Sequence, residues 1–201
     1  MDINAALVKE LREKTGVGMM DCKKALQESG GDLKLAIEYL RKKGMATAKK
    51  RGGRATSEGQ VAAYIHPGAK IGVLVEVNCE TDFSAKTEDF SAFVKNVAMQ
   101  IAAANPLSVD REGIPAPVLE KEREIYATQA KESGKPEKVI DKIVEGKLSK
   151  FYSEACLLEQ PYVKNPDIKV QDLLNELMAK TGENIVIRRF ARYQLGEPDE
   201  R

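Results

Sequence analysis

Apolar positions in the N-terminal stretch recur at three- and four-residue spacing, and glycines interrupt the pattern. Ala6, Leu7 and Leu11, with Ile3 ahead of them, predict a first helix ended by Thr15-Gly16-Val17-Gly18. Cys22, Ala25 and Leu26 share one face of a second helix from about Met19 to Ser29, which Gly30-Gly31 stops. Asp32 stands where an N-cap belongs, ahead of a third stripe of Leu33, Ala36, Ile37 and Leu40. Arg41, Lys42 and Lys43 before Gly44 read as the last turn of that helix, with cations complementing the dipole and glycine supplying a left-handed cap. A core shared by three such short helices contributes little net stability, so docking or a partner would help.

The next stretch, Met45 to Arg54, is basic, contains Gly52-Gly53 and has no acidic residue. It reads as a solvated linker and marks a boundary near residue 54. The competing reading is a nucleic-acid-associated module using the basic segment 49–54, although no aromatic is interleaved there to stack on bases. Beyond it the period drops to two. Val61, Ala63 and Ile65 alternate up to His66, Pro67-Gly68-Ala69-Lys70 turns the chain, and Ile71, Val73, Val75, Val77 and Cys79 alternate again, which predicts a β-hairpin.

Thr87 with Glu88 and Asp89 caps a helix whose buried face is Phe90, Phe93, Val94, Val97, Ala98 and Ile101, and Asn105-Pro106 ends it. Two more helices, about Val118 to Glu132 and from Pro136 through Val139, Ile140, Ile143 and Leu148, flank Gly134. Gln160-Pro161 and Asn165-Pro166 predict irregular structure up to about Lys169. A short helix from Val170 to Lys180 follows, and after Gly182 the alternation of Ile185, Ile187, Arg189, Ala191, Tyr193 and Leu195 predicts a strand that joins the hairpin as its third member. The expected fold class is α+β: three helices and a basic linker over 1–54, then a core over 55–201 with a small antiparallel sheet of about three strands packed with helices.

Composition narrows the function. The chain has 32 Lys+Arg against 31 Asp+Glu and one histidine, a formal net charge of +1, which excludes a globally basic nucleic-acid binder. Cys22, Cys79 and Cys156 are odd in number and far apart, which disfavours a zinc ribbon or a disulfide framework and points to a reducing compartment. A lone His66 does not make a multi-histidine metal site. No apolar run of about 18 residues predicts a membrane span, and Met1-Asp2-Ile3-Asn4 has neither a secretory nor a transit character. The expected location is the cytoplasm. No phosphate loop, metal-ligand spacing or nucleophile elbow is present, and the carboxylates scatter along helix faces as solvated charges, so no catalytic residue and no cofactor are expected.

The sharper feature is Asn78-Cys79-Glu80-Thr81-Asp82-Phe83-Ser84-Ala85-Lys86, between the second strand and the long helix. Local chemistry favours Asp82 holding the turn through nearby backbone N–H groups while Phe83 enters the core. The alternative is an exposed tip that presents a carboxylate and a large apolar ring together. His66 at a strand end is similarly open. Met19 and Met20 straddle a helix start, where one side chain suits the core and the other an adaptable contact surface.

Leu7-Val8-Lys9-Glu10-Leu11-Arg12 and Thr15-Gly16-Val17-Gly18-Met19-Met20-Asp21-Cys22-Lys23-Lys24-Ala25-Leu26 resemble the N-terminal domain of the translation elongation factor Ts family. The resemblance continues through Ile71-Gly72-Val73-Leu74-Val75-Glu76-Val77-Asn78-Cys79-Glu80-Thr81-Asp82-Phe83, Glu145-Gly146-Lys147, Lys150-Phe151 and Gln160-Pro161 to Gly182-Glu183-Asn184-Ile185-Val186-Ile187-Arg188-Arg189. It implies a ubiquitin-associated-like three-helix N-terminal domain and a guanine-nucleotide exchange factor for elongation factor Tu, active in translation elongation. It also implies that the loop of Asp82 and Phe83 inserts near the partner's nucleotide and Mg²⁺ site. His66 matches the histidine of a Tyr-x-His strand end that contacts the same partner domain. Arg12, Met19 and Met20 match a contact surface, and Thr181-Gly182 matches a contact turn. GDP, GTP and Mg²⁺ then belong to the partner, and direct nucleic-acid or membrane binding is not expected. The usual valine after Thr-Asp-Phe is Ser84 here, and the chain has material for one core unit where longer members have two, so a homodimer through the core domain is expected to supply both halves. No cysteine in the last strand is available for a disulfide across such an interface.

Overall fold

Asn4 caps the first helix, α1 (Ala5–Thr15): its Oδ1 accepts the Ala6 N–H at 2.9 Å. Gly16 ends α1 at φ 68°, with its N–H on the Arg12 carbonyl at 2.7 Å. This geometry comes from a computed structural model that describes residues 3–134 and 136–198, without the side chains of residues 45 and 47–50. Met1 and Asp2, half of the segment read for a targeting signal, therefore lie outside the described residues.

The helices α2 (Met19–Glu28) and α3 (Leu33–Arg51) follow, and Asp32 Oδ1 caps α3 by accepting the Leu35 N–H at 2.9 Å. Leu11, Cys22, Ala25, Leu26 and Ala36 are fully buried where the three helices meet. The predicted stripes hold except that Ala6 and Ile37 are exposed and Val8, not Leu7, is the more buried of that pair.

Helix α3 does not end at Gly44. It continues to Arg51 because Gly44 is a crossing point rather than a cap: a Cβ added there would stand 3.3 Å from Ala179 Cβ on helix α8 (Val170–Thr181). A glycine inside a helix costs about 1 kcal/mol relative to alanine. Close approach of two backbones offsets that cost, and polar ties reinforce it, with Arg41 pairing with Asp172 at 2.8 Å and Arg51 Nη1 donating to the Met178 carbonyl at 3.1 Å. The expected capping cations thus serve elsewhere, since Lys43 also reaches Asp21 at 2.6 Å.

Strands β1 (Glu58–Ile65) and β2 (Ile71–Cys79) form the predicted hairpin, in which the His66 N–H donates to the Ile71 carbonyl at 2.9 Å. Strand β5 (Ile185–Gln194) takes the other side of β2, giving an antiparallel sheet of order β1-β2-β5. Val73, Val75, Val77 and Cys79 point inward by strict alternation. At Gly59, φ is 146° and a Cβ would lie 2.2 Å from the Val77 carbonyl oxygen, so β1 crosses the end of β2 where a side chain does not fit.

The one-turn helix α4 (Asp82–Ala85) and the long α5 (Glu88–Ala104) follow β2, and Thr87 Oγ1 accepts the Phe90 N–H at 3.2 Å as the predicted cap. Helices α6 (Ala116–Glu132) and α7 (Glu137–Ala155) pack through Ala130, Ile140, Val144 and Leu148. The segment expected to be irregular instead contains an antiparallel ribbon, β3 (Pro161–Tyr162) with β4 (Asn165–Lys169). A buried amide from a distant helix organises it. Gln100 Nε2 donates to Gln160 Oε1 at 3.1 Å and to the Pro161 carbonyl at 3.2 Å, and Gln100 Oε1 accepts the Val163 N–H at 2.8 Å.

The chain gathers into two compact units. One holds the chain through Gln60, Val77–Phe93 and Asp172–Val186; the other holds Val61–Glu76, Val94–Gln171 and the chain from Ile187 onward. Among the described residues no helix is long and apolar enough to cross a membrane.

Candidate partner-binding site

The segment from Cys79 to Thr87 turns the chain from β2 into α5 within the first unit. Thr81 is its pivot: extended at φ −129° and ψ 153°, it caps α4 by accepting the Ser84 N–H on Oγ1 at 3.3 Å. The underside of α4 is sealed, with Ser84 and Ala85 buried and the Ala85 carbonyl accepting Gln60 Nε2 at 2.7 Å. The turn therefore has one free direction, and Phe83 takes it. Its ring is 80 % exposed. The expectation that Phe83 enters the core is corrected: on a single helical turn whose third and fourth residues face inward, the second points out.

Asp82 does not hold the turn with its side chain alone. Its Oδ2 accepts Lys86 Nζ at 2.7 Å one turn on, and that hydrogen bond, assisted by the N-terminal backbone of α4, keeps the carboxyl below its ordinary range. Lys86 is held correspondingly above its own. The tip thus presents an ionised carboxylate beside an uncovered phenyl ring. Beneath it, Cys79 Sγ donates to the Thr81 carbonyl at 3.2 Å, and burial pushes its thiol pKa up. The Ser84 hydroxyl, at the position where the resemblance has valine, is buried with no hydrogen-bond partner among the described residues.

The turn after α8 meets this loop. Gly182, at φ 78°, ends α8 with its N–H on the Met178 carbonyl at 3.0 Å, and Thr181 Oγ1 donates to the Leu177 carbonyl at 3.0 Å. Glu183 follows, and its carboxylate accepts the Glu80 N–H at 3.2 Å, the Thr81 N–H at 3.1 Å and Thr81 Oγ1–H at 2.6 Å. In return Glu80 Oε1 accepts the Asn184 N–H at 2.6 Å and Arg54 Nη1 at 3.4 Å. Thr181-Gly182 and Asp82-Phe83, 99 positions apart, are thereby joined through their neighbours Glu183 and Thr81. Sequence reasoning did not single out Glu80 or Glu183, because an acidic residue beside a turn looks like ordinary surface until the donors that converge on it are counted.

The remaining predicted residues fall in two places. Arg12, Met19 and Met20 are exposed on the three-helix part of the first unit. Neither methionine supplies core, since Met19 is 56 % and Met20 77 % exposed, and the helix directs Cys22 inward instead. His66 belongs to the second unit, exposed at the end of β1, with Nδ1 at 3.0 Å from Tyr64 Oη. In the basic segment 49–54, Arg51 and Arg54 have the intramolecular partners given above, and the Lys49 and Lys50 side chains lie outside the described residues. Among the described residues no group of three or more His, Cys, Asp or Glu side chains is arranged to hold a metal ion.

The chain matches the family described as Elongation factor TS over residues 44–197. It is 64% identical to an elongation factor Ts of Syntrophobacter fumaroxidans over 98% of each chain. It is 64% identical to one of Moorella thermoacetica over 97% of this chain and 96% of that one, and 60% identical to one of Geobacter sulfurreducens over 98% and 91%. The chain belongs to the elongation factor Ts family, whose members serve protein biosynthesis.

Proposed function

We propose that this chain accelerates GDP release from elongation factor Tu, with the Asp82–Phe83 tip inserted beside the partner's nucleotide and Mg²⁺ site. The observation that carries the reading is the uncovered Phe83 ring on a sealed, doubly anchored turn. A large apolar side chain left in water on an otherwise well-packed element fits a site that a partner covers. Arg12, Met19, Met20, His66 and the Thr181-Gly182 turn supply further contacts, the methionines as a soft surface that repacks against its target.

No chemical step is required of the chain. A factor that binds the nucleotide-free partner more tightly than the GDP-bound one weakens GDP binding by the same free energy, since coupling between two ligands is reciprocal. Nucleotide and Mg²⁺ stay with the partner, and the factor needs no cofactor, nucleic acid or membrane. The cytoplasm, where elongation proceeds, is its place of action.

The factor works as a homodimer through the outward face of its sheet in the second unit. Val61, Ile65, Leu74 and Tyr193 are all exposed there. Gly72 beside Ile65, and the ion pair of Arg189 with Glu76 at 2.7 Å, put β1, β2 and β5 on that common face. Release of fluorescent GDP from elongation factor Tu, followed by stopped flow with increasing amounts of the chain, tests the main reading. A concentration-dependent rise in rate is expected, and an unchanged rate would sink it.

A further inference from the structure

Resting on that exchange reading, we infer that Glu183 is a positioning residue for Phe83 and acts through the Thr81 hydroxyl. That hydroxyl carries one hydrogen and two lone pairs. Its hydrogen goes to Glu183 Oε1 at 2.6 Å, so the lone pairs are left for the Ser84 N–H at 3.3 Å, the bond that starts the turn carrying Phe83. The other carboxylate oxygen accepts the backbone N–H groups of Glu80 and Thr81 at 3.2 and 3.1 Å, fixing the main chain immediately before the tip. One carboxylate thus sets both the path of the chain into α4 and the direction of its cap. Glu183 itself is placed by the glycine turn ending α8, and its own N–H reaches Thr181 Oγ1 at 3.3 Å. Neither Glu183 oxygen needs to touch the partner.

The chemistry orders the substitutions. Glu183→Gln keeps one oxygen for the two backbone N–H groups but turns an amide donor toward Thr81, which reverses the hydroxyl link and leaves the Thr81 hydroxyl hydrogen without its acceptor. Glu183→Ala removes all three bonds. Charge-assisted bonds of this kind are about twice as strong as neutral ones, so the maximal rate of GDP release at saturating factor is expected to fall roughly threefold in Glu183→Gln and about tenfold or more in Glu183→Ala.

A double-mutant cycle with Phe83→Ala separates positioning from general support: acting through Phe83, Glu183→Ala lowers the rate little further once the ring is gone. Full additivity, or a Glu183→Ala variant as fast as the parent chain, would overturn the inference. Because the chain has no tryptophan, Phe83→Trp provides a single reporter independent of exchange. Its fluorescence anisotropy is expected to drop when Glu183→Ala is added, with circular dichroism unchanged; an equally immobile indole in both backgrounds refutes positioning. If the parent chain itself does not accelerate GDP release from elongation factor Tu, the exchange reading fails, whereas the anisotropy measurement still judges the role of Glu183.

Discussion

Removing the Phe83 ring separates a surface role from a structural one. A fully covered aromatic side chain buries roughly 200 Å², and at 80 % exposure about four-fifths of that is still available to a partner. At about 25 cal/mol per Å² the uncovered ~160 Å² is worth ~4 kcal/mol on burial. Alanine keeps Cβ and part of this area, which leaves a loss of ~3 kcal/mol, or roughly 100-fold in affinity or rate. The free protein has almost nothing to lose, and its stability is expected to change by less than ~0.5 kcal/mol. Phe83→Ala is therefore expected to melt with the parent chain while its stimulation of GDP release collapses. The paired assays are urea unfolding and stopped-flow release of labelled GDP. A folded variant within threefold of the parent would remove the ring from the interface. A stability loss above ~2 kcal/mol would mean that the ring packs inside, against the exposure on which the reasoning rests.

Other consequences follow from particular contacts. Gly59→Ala places a Cβ 2.2 Å from the Val77 carbonyl oxygen at φ 146°, so it is expected to destabilise the fold by ~3 kcal/mol or more, and a Tm equal to the parent's would contradict the crossing of β1 over β2. Arg111, hydrogen-bonded to Glu159 at 2.5 and 2.8 Å, holds that carboxyl below its ordinary range. Since the folded-state pKa is the lower one, the pair stabilises the protein at neutral pH and the contribution disappears as acid protonates Glu159. Glu159→Gln is expected to cost ~1 kcal/mol at pH 7, a gap that closes in urea unfolding as the pH is lowered through the folded-state pKa of Glu159, and a gap that persists once that carboxyl is protonated would assign the effect to packing. Leu74→Glu puts a charge on the outward sheet face and is expected to shift sedimentation from dimer to monomer, while a parent chain that already sediments as a monomer would remove the dimer proposal.

The elements were legible where one short-range signal decided them. The Asp32 and Thr87 caps, the hairpin about Gly68 and the alternation through Val73, Val75 and Val77 all depend on neighbours within a few residues. What the pattern missed was decided at long range. Gly44 has the local marks of a helix stop, with cations before it, yet α3 continues because Ala179, 135 positions later, lies against it. Gln160-Pro161 has the marks of a loop, yet Gln100 holds it in a ribbon. Phe83 has the composition of core, yet the turn that Thr81 starts commits Ser84 and Ala85 to the inside first. The motif itself was readable, but its anchoring by Glu183 required the fold.

The paired bonds of Glu183 with Glu80 and Thr81 and of Glu80 with Asn184 have a consequence for synthesis as well as for geometry. Thr81, Asp82 and Phe83 emerge early, but their anchor and its neighbour Asn184 lie about a hundred positions further along. Contacts so distant in sequence form only after the intervening chain is available and folded. A nascent chain can therefore expose the complete tip sequence well before that tip is rigid, and competence for its target arrives with the last strand rather than with the motif.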